Sequence, residues 1–143
     1  MKKNLLTIFI IFFIIMAVLL ANYMSLKRKN QEIKKFNYGF EFYNKDNLNG
    51  LEITTIINKA IDNNEKYGVQ KDKNGYYLED ENSIKIEIKM IINDKVYQME
   101  RINDIGLESF TEFFGEVNFK CTGIEYHKEN NKVSKMIFES TEY

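Results

Sequence analysis

Proline and tryptophan are missing from these 143 residues, cysteine and histidine each occur once, and only one arginine lies beyond residue 36. Each scarcity excludes something. A lone Cys121 closes no internal disulfide, so the fold does not depend on oxidation. One Cys and one His fall short of the four ligands of structural zinc. Cys121 and His127 also make a poor nucleophile and base: six residues apart on one strand, they stand roughly 20 Å from each other. There is no Gly-rich phosphate loop, no Gly-x-Ser-x-Gly elbow and no Gly-x-x-x-x-Gly-Lys sequence. The sequence assembles no catalytic set and implies no cofactor.

Charge is divided unequally. Residues 1–36 hold seven Lys/Arg and one Glu, whereas residues 37–143 hold thirteen Lys/Arg against twenty Asp/Glu, so the net charge of −1 is a cancellation. An acidic outer part without a basic stripe lacks the electrostatic footprint of a nucleic-acid binder. Ile, Lys and Asn are abundant, as expected where codons drift toward A and T, which points to a bacterial source.

Between Lys3 and Lys27 no residue is charged, and Leu5 to Ala21 is apolar except for Thr7. At about 1.5 Å of helix rise per residue, the uncharged stretch reaches roughly 34 Å, enough to cross a hydrocarbon core of about 30 Å. Leu19, Leu20 and Ala21 form a poor signal-peptidase site because Leu19 is bulky, so a retained anchor is expected, with lipid the partner of residues 5–21. Orientation cues conflict. Lys27, Arg28, Lys29, Lys34 and Lys35 after the span would hold the domain in the cytoplasm by positive-inside counting, while the short basic start before an apolar run is the layout of a secretory signal. The reading favoured is a single-pass protein of the cell membrane with an extracytoplasmic domain.

The expected organisation is an anchor and basic juxtamembrane segment over 1–36, then an α+β domain over 37–143 with an antiparallel sheet packed on one or two helices. Phe36, Phe40 and Tyr43 fall at i, i+4 and i+7 and form one stripe if the helix runs on as a stalk; aromatics dipping into headgroups explain them equally well. Asn49 with Glu52 caps a helix whose buried face is Ile53, Ile56, Ile57, Ala60 and Ile61, ended by Gly68. Residues Ser83 to Ile92 alternate as a half-buried strand. A two-residue turn at Asn93 and Asp94 would set Met90 opposite Tyr97 and Ile88 opposite Met99. Asn103 or Asp104 is expected to cap a short helix carrying Leu107, Phe110, Phe113 and Phe114, closed by Gly115. Asn118 to His127 and Lys132 to Glu139 form a last hairpin around Asn130 and Asn131, of ambiguous register, with Ile124, Tyr126, Met136 and Phe138 as core candidates.

The best partial motif is Gln70 to Glu81. Aligned to a calcium-binding EF-hand loop, Asp72, Asn74, Gly75 and Glu81 take the third, fifth, sixth and twelfth positions. Gln70 stands where the first carboxylate is required, and Asn74 and Gly75 also suit a hairpin turn.

An apolar N-terminal helix, a helical stalk and an antiparallel sheet packed on it resemble the layout of type IV pilins and pseudopilins, and more loosely that of small single-anchor bacterial proteins. Asn4 precedes Leu5, and Phe9 stands where that family has Glu, so no pilin functional residue carries over. The anchor, together with the lack of any assembled site, leads to the expectation of a membrane-tethered, non-catalytic interaction module, an accessory subunit of an envelope, secretion or pilus-like assembly whose partner is another envelope or membrane protein. The alternative is an extracytoplasmic sensor of a small ligand or ion using the 70–81 loop.

Overall fold

The computed structural model describes residues 2–92 and 94–141, with side chains from Leu6 onward. The chain divides between Lys35 and Phe36 into two compact units.

The first unit is the greater part of α1 (Lys2–Glu41). No Pro interrupts it, and its first Gly is Gly39. Every side chain from Leu6 to Glu32 is exposed. Among the described residues this is the one helix long and apolar enough to cross a membrane.

The second unit begins with the last turn of α1 and continues with α2 (Gly50–Lys66), β1 (Lys85–Met90), β2 (Lys95–Gln98), α3 (Met99–Ile105), α4 (Leu107–Phe114), β3 (Phe119–Tyr126) and β4 (Val133–Ser140). The aromatic stripe does stay helical through Glu41: Phe40 is buried, and Phe36 and Tyr43 pack against the core. Three side chains fasten this turn to its own unit. Asn37 donates to the Asn131 carbonyl and accepts from Val133 N–H, at 2.8 and 2.9 Å. The Lys59 ammonium donates to the Gly39 carbonyl at 2.6 Å, and the Tyr126 hydroxyl to Glu41 at 2.8 Å.

Helix α2 opens on a complete capping box, in which Asn49 Oδ1 accepts from Glu52 N–H and Glu52 Oε2 accepts from Asn49 N–H. The lowered pKa of Glu52 follows from its 2.8 Å hydrogen bond to Lys45, outweighing partial burial, with the Asn49 bond adding to it. Gly68, at φ +66, ends the helix as expected. The start of α2 lies so close to the end of α4 that a Cβ on Gly50 would overlap the Phe114 carbonyl.

The sheet corrects the antiparallel expectation. Its order is β2-β1-β4-β3, with β1 parallel to β4 and the other two pairings antiparallel, so the sheet is mixed. Alternation fixes which face of a strand is buried, not which strand lies beside it. The long path through β2, α3, α4 and β3 supplies the crossover that a parallel pair needs. Ile84, Ile86, Ile88, Met136 and Phe138 lie in the core, against which the helices pack. The opposite face carries an ion-paired ladder, with Glu87 to Lys135 at 2.9 Å and Lys89 to Glu139 at 3.5 Å.

Three further expectations change. Ile88 pairs with Tyr97 and Met90 with Lys95, a shift of two residues from the expected register. Asn93 of the expected turn lies outside the described residues. Ladder pairing ends at Met90, because Ile91 N–H is bonded to the Ser140 hydroxyl, and Met99 turns into α3 instead of extending β2. A shift of two preserves the pleat, so Ile88 and Tyr97 still share a face. Asn103 and Asp104 are not caps but lie inside α3; the break falls at Gly106, whose φ of +104 suits glycine. Tyr126 is 43% exposed and not core. The β3–β4 register shifts at Cys121/Gly123 and again at Glu125/Tyr126, so no single pairing rule describes that hairpin.

Asn64 was absent from the expected core, yet it is fully buried. Its amide donates to the Ile84 carbonyl and accepts from Ile84 N–H, both at 2.8 Å, pairing α2 to the entry of β1 as a strand would. Removing it orphans two buried backbone groups at about 1–3 kcal/mol each. Asn64→Ala should therefore lose about 3 kcal/mol in urea unfolding of the full chain in micelles, against about 1 kcal/mol for the cap variant Asn49→Ala. Equal losses in the two variants would contradict this assignment.

Candidate functional site

Sequence periodicity placed Phe110, Phe113 and Phe114 on one short helix, and α4 sets them beside α3 and β2. Together these elements enclose a recess of about 190 Å³ lined by Tyr97, Ile102, Ile105, Phe110, Phe113 and Phe114. Phe110 is buried and stacks on Phe114 with ring centroids 5.0 Å apart, forming the floor. The lip is different. Phe113 is 76% exposed and Ile105 66% exposed, which is unusual for two large apolar side chains bordering one recess.

Acidic residues surround this recess in sequence. Between Arg101 and Lys120 the chain carries Asp104, Glu108, Glu112 and Glu116 and no basic residue. All four are exposed, and none is in an ion pair among the described residues. Glu108 and Glu112 are four apart on α4, and Glu112 adjoins Phe113. The lining itself is uncharged and can hold an apolar side chain.

The 70–81 loop is a turn whose polar groups serve its own backbone. Asp72 Oδ1 accepts from Asn74 N–H at 2.8 Å and from Tyr76 N–H at 3.0 Å, and Gly75 has φ +87. The Lys71–Tyr77 bridge closes the turn. Glu81 is exposed, and its carbonyl accepts from Asn130 at 2.6 Å. Among the described residues, no three His, Cys, Asp or Glu side chains gather to hold a metal ion. Sequence reasoning missed Glu100, which is buried on α3 and accepts from Tyr77 N–H at 3.0 Å, tying the loop to the helix. Its place between Met99 and Arg101 gave no sign of this.

Cys121 and His127 take separate partners. The Cys121 thiol is half-buried and lies 3.5 Å from the Gly123 carbonyl. His127 is buried, and its Nε2 donates to the Ser83 carbonyl at 2.7 Å, which fixes the proton on that nitrogen.

A scan against protein-family models finds no match for the chain, and searches of curated proteins and of solved structures find none either.

Burial raises the Cys121 pKa above the usual thiol value, and only the thiolate reacts quickly. Alkylation by iodoacetamide should therefore be slow at pH 8, still accelerating above pH 9, and faster at every pH once urea unfolds the chain. A rate that levels off below pH 9 in the folded protein would contradict this.

Proposed function

We propose that the chain is a membrane-tethered, non-catalytic interaction module. α1 crosses the cell membrane once, and the acidic α+β unit acts outside the cytoplasm as an accessory subunit of an envelope, secretion or pilus-like assembly. The observation that carries this reading is the uncovered apolar helix. Sixteen large apolar side chains between Leu6 and Leu26 are each at least 39% exposed. At about 1.5–3 kcal/mol for covering each one, the incentive to leave water is tens of kcal/mol, beyond the roughly 5–15 kcal/mol stability of a small domain.

The recess between β2, α3 and α4 supports the second half of the reading. Phe113 and Ile105 are large, exposed apolar side chains that a partner would cover, and burying each would contribute about 1–2 kcal/mol. Its aromatic and aliphatic lining suits the burial of an apolar side chain.

Affinity capture of the full chain from detergent-solubilised native membranes should recover a stoichiometric partner, either further copies or another envelope protein. Phe113→Asp should reduce that recovery at least tenfold while leaving the thermal melt in place, since the side chain is mostly in water already. A clean monomer from native membranes, or full recovery with Phe113→Asp, would contradict the reading.

A further inference from the structure

A second cleft, of about 460 Å³, lies between the 70–81 loop, the start of β1 and the junction of β2 with α3. Glu100 and Lys85 both line it, and their charges do not meet. Carried two residues further, the pairing that sets Glu87 opposite Gln98 would set Lys85 opposite Glu100. The chain instead turns into α3 at Met99, and Glu100 is left 8% exposed. Its Oε1 accepts from Tyr77 N–H at 3.0 Å. Its Oε2 takes no hydrogen bond, and neither Glu100 nor Lys85 is in an ion pair among the described residues. Nor is Oε2 sealed from solvent: among the described residues the Tyr77 hydroxyl is the one enclosed side-chain polar atom without a partner. A carboxylate this buried is destabilising unless a cation meets it. Gln98, also on the wall, donates its Nε2 to Glu87 at 3.2 Å, which leaves its Oε1 as a second acceptor.

We infer that this cleft is a binding site for a free α-amino acid, held by its two charges. The ligand ammonium donates to Glu100 Oε2 and Gln98 Oε1, and the ligand carboxylate faces the Lys85 ammonium. A simple amine would leave Lys85 unanswered, and a simple carboxylate would leave Glu100 so. A metal ion is a poor occupant, because no three His, Cys, Asp or Glu side chains gather to hold one among the described residues. The site lies apart from the apolar recess between β2, α3 and α4. The inference goes beyond the interaction-module reading and does not depend on it.

The test uses the purified full chain in neutral detergent micelles, titrated with each common L-amino acid in turn and followed by saturation-transfer NMR of the ligand. At least one should bind with a Kd below about 1 mM. Its N-acetyl derivative lacks the ammonium and its methyl ester lacks the carboxylate, so each should bind at least tenfold more weakly. Glu100→Gln keeps an acceptor for Tyr77 N–H and should weaken binding at least tenfold. Lys85→Met, at a half-buried position outside the core, should do the same. An unchanged melt identifies folded variants, and Lys85→Met carries the test if Glu100→Gln does not fold. The inference is overturned if no amino acid reaches that affinity, if a blocked derivative binds as tightly as its parent, or if a folded Lys85→Met chain keeps the wild-type Kd. If no amino acid binds while native membranes still yield a stoichiometric partner, the ligand site falls and the interaction module stands.

Discussion

The apolar surface of α1 is the constraint from which the rest follows. A helix whose side chains from Leu6 to Glu32 are all exposed gains nothing from the packing that stabilises a helix in a globular protein. Its backbone bonds are satisfied internally, the condition for residing in hydrocarbon. The acidic second unit has its own core and its own hydrogen-bonded closure, so it needs nothing from that surface. The proposed membrane residence covers this surface with lipid.

The last turn of α1 belongs to the second unit and is held there by several unlike forces. Phe40 is in the core, Phe36 and Phe40 stack with centroids 5.3 Å apart, and the Lys59 ammonium lies over the Phe40 ring at 5.0 Å. Burial lowers the Lys59 pKa, and its ammonium donates to the Gly39 carbonyl at 2.6 Å. Asn37 adds two hydrogen bonds to the turn between β3 and β4. A helix end bound by core packing, a cation over an aromatic ring and an amide pair does not fray independently of the sheet.

What the sequence disclosed depended on how local the physics was. The capping box at Asn49 and Glu52, the Gly68 stop and the alternation of β1 are set by neighbours a few residues apart, and all three were readable. Asn64 was readable in principle: it lies three residues after Ile61 and seven after Ile57, on the apolar stripe of α2, where a polar residue must be hydrogen-bonded. The run Asp62, Asn63, Asn64, Glu65 disguised it as surface. The two hairpin pairings were readable, but the parallel contact of β1 with β4 was not. The Ile residues of β1 bury the same face beside an antiparallel or a parallel partner, and two bulges leave β3 and β4 without one register. The recess was half visible. Phe110, Phe113 and Phe114 were recognised as helical, but one buried floor and one exposed lip cannot be separated until β2 and α3 are in place. Spacing along the chain likewise says nothing about whether Asp72 engages its own turn, as its Oδ1 does.

Flotation of the full chain with lipid vesicles through a density gradient, after washing with carbonate at high pH and with concentrated salt, tests the central claim most directly. Insertion of α1 predicts that the protein rises with the lipid after both washes, and that Ile11→Lys with Ile14→Lys leaves it at the bottom. Wild-type protein that stays in the dense fractions without detergent, or that the washes strip from the vesicles, would contradict the account.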